Sequence, residues 1–212
     1  LKNCISGRIP KVDAVRDLLS RINPDEIRSI HEEMIDIIKR NRVFREGTIG
    51  GYVVAGLDGV ELFSSTKKSC PNCLSRKKHT GETEYFYRSV VCMIIGKSPH
   101  VILGQEMLKP RDGSGKDEGE LTGGKRLIER LKKRHGHFAD VIVADALYLN
   151  APFINTLKEN GLEGVIRLKD ERRMIFLDSV RLFKQDEGKK ASFWKGKKKI
   201  EVWDLSGFKM EG

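Results

Sequence analysis

The chain has 212 residues, 39% of them hydrophobic and 33% charged, a balance that suits a folded globular protein rather than a disordered one. Forty Lys and Arg against thirty Asp and Glu leave a net charge of +10, which favours a polyanionic partner such as nucleic acid. No apolar run approaches the roughly 18 residues of a membrane span, and the N-terminus LKNCISGRIPKVDAV has no signal-peptide pattern, so no membrane partner and a cytoplasmic setting are expected.

The chain begins at Leu1 rather than Met, and a piece of a longer protein is expected. Val12, Val15, Leu18, Leu19 and Ile22 recur at the spacing of one helix face. Asn23-Pro24 breaks that helix and starts another, with Asn23 as N-cap, Pro24 first, and Asp25 and Glu26 in the first turn. Its apolar stripe runs Ile27, Ile30, Met34, Ile37, Ile38, and the polar RNRVFREGTIGG then reads as a linker. YVVAGL predicts a strand, Asp58-Gly59 a turn, and VELFSS a second short extended piece.

Residues 66–84 are polar and carry CPNC. YFYRSVVCMIIG and HVILGQEML predict a hairpin joined by Lys97-Ser98-Pro99, followed by the charged, Gly-rich loop KPRDGSGKDEGE. LTGGKRLIERLKKRHG predicts a helix after its Gly pair, and VIVADA the next strand. NAPFINTLKENG is a helix with Asn150 as N-cap and Gly161 as stop. LEGVIRLK gives a further strand, MIFLDSVRLF a helix, and ASFWKGKKKIEVWDLSGF two extended pieces around a basic turn. Antiparallel strands followed by βαβ units predict an α/β fold, a mixed sheet with helices on its faces.

Two strands share a peculiarity: VVAGLD and VIVAD run through small apolar residues into Asp58 and Asp145. Active sites of α/β sheets gather at strand ends. Adjacent carboxylates repel unless a cation sits between them. Hard oxygen ligands suit Mg²⁺, and such ions activate nucleophiles and stabilise leaving oxygens in phosphoryl transfer. The bland alternative is that each acid is a turn residue or N-cap, which the following Gly makes strong for Asp58 and weaker for Asp145.

VVAGLDGVELFSS, ADALYLNAPFINTLKENG and the following VIRLK strand resemble the catalytic domain of DDE transposases of bacterial insertion sequences, over roughly residues 40–205. The resemblance implies a ribonuclease H-like mixed sheet flanked by helices. It further implies a helical N-terminal segment over 1–46, a catalytic domain over 47–188 with the CxxC loop at 66–84, and a truncated β-rich insertion over 189–212. Asp58 and Asp145 would be catalytic, binding Mg²⁺ or Mn²⁺ for DNA strand cleavage and transfer at transposon ends. The family carries a third acid, a Glu in a Tyr-x2-Arg-x3-Glu setting, and nothing after Asp145 matches it. Glu201 is the nearest late Glu but sits in a strand-like run, so the third acid is expected beyond Gly212 and the chain alone is expected to be inactive. Partners implied are double-stranded DNA at transposon ends and target, and a second copy as a homodimer, in a prokaryotic cytoplasm.

Other residues carry alternatives. Cys70 and Cys73 with His79 offer three zinc ligands, and Cys4 or Cys92 a fourth; the commoner meaning of such a lone pair is two cysteines that order a loop or lie free. Tyr148 either stacks on a base or packs beneath the acids. Arg167 and Lys169 alternate on a strand and suit backbone phosphates, or form a solvated edge. Lys125, Arg126, Arg130 and Lys133 project from a helix that packs through Leu127, Ile128 and Leu131. Trp194 and Trp203 flank the basic KGKKK turn, suited to unpaired bases or to a small core. Two further readings stand beside the transposase: a non-catalytic DNA-binding or zinc-stabilised module, and a related metal-dependent nuclease.

Overall fold

The computed structural model describes residues 10–45, 48–96, 98–111, 116–185 and 190–207. The chain divides into two compact units, Leu1–Val43 and Phe44–Gly212.

The first unit holds α1 (Val12–Arg21) and α2 (Pro24–Arg40). Asn23 caps α2 as expected, its side-chain oxygen accepting from the Asp25 N–H at 3.0 Å, with Pro24 at the first helical position. The apolar stripes do not become a core. Val12, Leu18, Leu19, Ile27, Ile30, Met34 and Ile37 are exposed, and the one buried hydrophobic residue of the two helices is Ile35, which lies off the expected stripe. Two short helices have too little surface to cover both stripes by themselves.

The second unit is built on a six-stranded sheet in the order β2-β3-β1-β5-β6, with β4 also pairing β3. Its strands are β1 (Val54–Ser65), β2 (Leu74–Lys77), β3 (Thr83–Ile94), β4 (Ile102–Met107), β5 (Val141–Ala144) and β6 (Glu163–Ile166). β1, β5 and β6 run parallel, joined through α3 (Glu120–His135) and α4 (Ala151–Glu159), while β3 lies antiparallel to β1, β2 and β4. The sheet is therefore mixed and flanked by helices, as the strand pattern predicts. α5 (Met174–Gln185) follows, and β7 (Lys190–Lys195) and β8 (Lys198–Trp203) form a separate antiparallel pair around Gly196 and Lys197. Among the described residues no helix is long and apolar enough to cross a membrane.

Three expectations are corrected. Asp58-Gly59 is not a turn: β1 runs straight through it, pairing Asp58 with Val91 and Gly59 with Val90. The polar stretch hides a strand, β2, whose ladder with β3 supplies the order that LSRK lacks on its own. α3 begins at Glu120, and Gly123 and Gly124 lie buried inside it, because a β-carbon on either would overlap Leu108 or crowd Tyr148. The Lys97 of the expected hairpin turn and Cys4 lie outside the described residues.

The core lies between the sheet and α3. Ala55 and Leu57 of β1, Val90, Cys92 and Ile94 of β3, Leu103, Ile142, and Leu127, Ile128 and Leu131 of α3 are all buried. Each such Leu or Ile contributes about 1.5–3 kcal/mol of burial. At the rim, the Arg126 guanidinium donates to Glu106, Glu118 and the Met107 carbonyl, and that of Arg130 to the Gln105 carbonyl, tying α3 to β4.

Candidate functional site

The parallel ladder ends where the two strand acids begin. Leu57 pairs with Ala144, so Asp58 and Asp145 stand at the same level on neighbouring strands whose backbones are about 5 Å apart. Asp58 is the first residue of β1 beyond its partnership with β5, and Asp145 emerges at the carboxyl end of β5. Asp58 is exposed and its Oδ1 accepts from the Gly59 N–H at 2.8 Å. Asp145 is half-exposed; Oδ1 caps the short turn Ala146–Tyr148 by accepting from the Leu147 N–H at 2.9 Å, and Oδ2 lies 3.3 Å from Lys169 Nζ. The N-cap alternative for Asp145 is thus realised, and among the described residues its second oxygen is held only by the exposed ammonium of Lys169.

A third acid joins them. Glu120, at the start of α3, lays its carboxylate over Gly59, where a β-carbon would overlap it. Its Oε1 accepts from Arg88 Nη1 at 3.0 Å, and its side chain is only 15% exposed. Burial raises the Glu120 carboxyl above its usual range; the Arg88 guanidinium opposes this, and the charges of Asp58 and Asp145 add to it. Nothing in the sequence singled Glu120 out, because a Glu in the first turn of a helix is ordinarily explained by the helix dipole. Its seat on β1 is a tertiary fact.

Tyr148 lies beneath the acids. It has no exposed surface, its ring rests 4.9 Å from that of Phe153, and its hydroxyl has no protein partner. Burial pushes its phenol well up, and the charges that reach it are those of Glu120, Asp58 and Asp145. It therefore packs under the site, and stacking on a base is ruled out in this conformation.

Arg88 belongs to a chain of ion pairs along the sheet. Glu61 accepts from Arg88 at 3.3 Å and from both terminal nitrogens of Arg76 at 2.8 and 3.0 Å. The remaining basic candidates are dispersed. Arg126 and Arg130 are consumed in packing α3 on β4, which removes them from any outward basic face. Lys125 is half-buried, while Lys133 and Arg167 are exposed. Lys169 pairs with Asp145, and both it and Arg167 lie past the end of β6 at Ile166. Glu201 is held on β8 by Lys190 and Lys199.

The cysteine pair is close, with Cys70 Sγ 2.9 Å from Cys73 Sγ and 2.5 Å from the Tyr87 hydroxyl. His79 does not join it: it sits at the tip of the β2–β3 hairpin, with the strand from Leu74 to Lys77 between it and the thiols. Cys92 is buried in the core instead. Among the described residues no three or more His, Cys, Asp or Glu side chains are placed to hold a metal ion as they stand. A cleft of about 750 Å³ lies between α5 and the β7–β8 hairpin, lined by Phe183, Lys190, Glu201 and Trp203 and by none of the three acids. There Lys190 Nζ sits 5.0 Å from the Trp203 ring, which places Trp203 in a local cluster, while Trp194 is exposed. No protein-family model, curated protein or solved structure matches this chain.

Proposed function

We propose that the chain is the catalytic portion of a DDE transposase with a ribonuclease H-like sheet, transferring phosphodiesters of DNA at transposon ends. The observation that supports this best is the β1–β5 register, which sets Asp58 beside Asp145 at the carboxyl end of parallel strands. The donor set fits Mg²⁺ or Mn²⁺: the ligands are hard carboxylate oxygens, and solvent reaches both. When bound, the cation supplies activation of the attacking oxygen and charge stabilisation on the leaving one. The protein's own part is to hold the carboxylates. Asp145 is oriented by the Leu147 N–H and Asp58 by the Gly59 N–H, while Tyr148 and Phe153 form a dry floor. The net charge of +10 favours DNA as partner.

The test is Mn²⁺ titration followed by electron paramagnetic resonance, with Asp58→Asn, Asp145→Asn and the double variant; the chain alone is not expected to cleave DNA. Binding by the native chain that the double variant loses supports the reading. Equal binding by both overturns it. A second reading, a non-catalytic DNA-binding module with zinc at Cys70 and Cys73, draws on the close sulfur contact. Stoichiometric zinc in the purified protein, with no loss of Mn²⁺ binding in the double variant, would favour it.

A further inference from the structure

We infer that Glu120 is a third carboxylate ligand of the cation held by Asp58 and Asp145, an inference that rests on the metal-site reading above.

The first argument is the seat itself. Gly59 has no left-handed backbone conformation and lies in the middle of a regular ladder, so no turn requires a glycine there. What its missing side chain provides is room for the Glu120 carboxylate beside Asp58. An alanine at 59 would occupy that room.

The second is that the chain leading to Glu120 is pinned. Asp117 accepts from the Ser75 and Arg111 N–H groups, and Glu118 accepts from the Lys109 N–H and from Arg126. Those contacts fix the start of α3, so the acid is delivered to one place against β1.

The third points to a ligand. Tyr148 is fully buried, its hydroxyl has no partner, and the charges that reach it are those of the same three acids. Buried hydroxyls are almost always hydrogen-bonded. A hydrated cation gathered by the three carboxylates would supply the missing partner, since Mg²⁺ and Mn²⁺ sites usually keep several waters.

Charge agrees. Three carboxylates face two cationic side chains, Arg88 and Lys169, each paired with one acid. When Glu120 turns to the cation, Arg88 keeps Glu61 at 3.3 Å and is not left alone.

The experiment is Mn²⁺ binding to the full chain by electron paramagnetic resonance and calorimetry, comparing Glu120→Gln, Gly59→Ala, Asp58→Asn and Asp145→Asn. Circular dichroism checks each fold. Gly59→Ala leaves the carboxylate in place chemically but pushes it off the strand, and only the end of a flexible side chain has to move. The expected result is a roughly tenfold or greater loss of affinity in both Glu120→Gln and Gly59→Ala. Native affinity in those two, with binding lost in the Asp variants, would overturn the role of Glu120 and leave the two-aspartate site standing. Binding unchanged in the Asp variants too would overturn the site and this inference together.

Discussion

The ring of Tyr148 lies so close to Gly124 that a β-carbon on the glycine would sit 2.9 Å from Tyr148 Cε1. The contact locks α3 onto the floor of the acidic site, because Leu57 and Phe153 close on the same point at 3.4 and 3.6 Å. Alanine is ordinarily worth about 1 kcal/mol over glycine inside a helix. Overpacking a dense core costs about 1–3 kcal/mol, and the buried aromatic ring has nowhere to go. Gly124→Ala is therefore expected to destabilise the protein by about 1 kcal/mol, read as a lower midpoint in chemical denaturation. A midpoint above that of the native chain would show that the ring yields.

Tyr148 itself separates ring from hydroxyl. Its hydroxyl makes no protein hydrogen bond, so Tyr148→Phe removes a buried unsatisfied group and should leave the metal-free protein at least as stable. Tyr148→Ala removes the ring and is expected to cost about 3–5 kcal/mol. Loss of stability in the Phe variant would reveal a partner for the hydroxyl in the metal-free state.

The thiols should differ in reactivity. Hydrogen bonding from Cys73 and then from Tyr87 lowers the Cys70 thiol, whereas burial pushes Cys92 up to about 12. Thiolate is the reactive form. Near pH 8, iodoacetamide is expected to label Cys70 first and to spare Cys92 until denaturant is added, as read by peptide mass mapping. Equal labelling of the two in the native protein would contradict the placement.

Glu84 should give a pH signature. The Lys78 ammonium and the Arg76 guanidinium hold its carboxyl below the usual carboxylate range. A depressed folded-state value means that its stabilisation is present above the unfolded value and is lost as pH falls through the folded one. Glu84→Gln is expected to lower the melting temperature at pH 7, and the gap to the native chain is expected to shrink as pH falls below the ordinary carboxylate value of about 4.3. A gap of constant size across the whole acid range would mean that packing, not charge, accounts for the effect.

Much of the fold was legible in the sequence because its signals are local. Asn23 and Asn150 cap helices through oxygens two or three residues from the N–H groups they accept, so the pattern carries its own explanation. β5 and the βαβ order were readable from short apolar runs. Asp58 was harder: its following glycine mimics a turn, and only pairing with β3 keeps β1 extended through it. The basic helix misled for a related reason. Arg126 and Arg130 look solvated in the sequence, but Glu106 reaches both from β4, and Glu118 reaches Arg126 from the loop before the helix.

The sequence by itself determined that two strands of like character each end their apolar run in an aspartate, and that antiparallel strands precede βαβ units. Only the tertiary structure decided that Leu57 pairs with Ala144, bringing the two acids level, and that Glu120 comes to rest over Gly59. The reason is physical. Caps and apolar periods depend on neighbours a few residues apart, whereas strand register and the seat of a helix depend on how distant side chains fill shared space. Glu120 lies 61 residues from Gly59 in sequence (120 less 59), and no local pattern records that they touch.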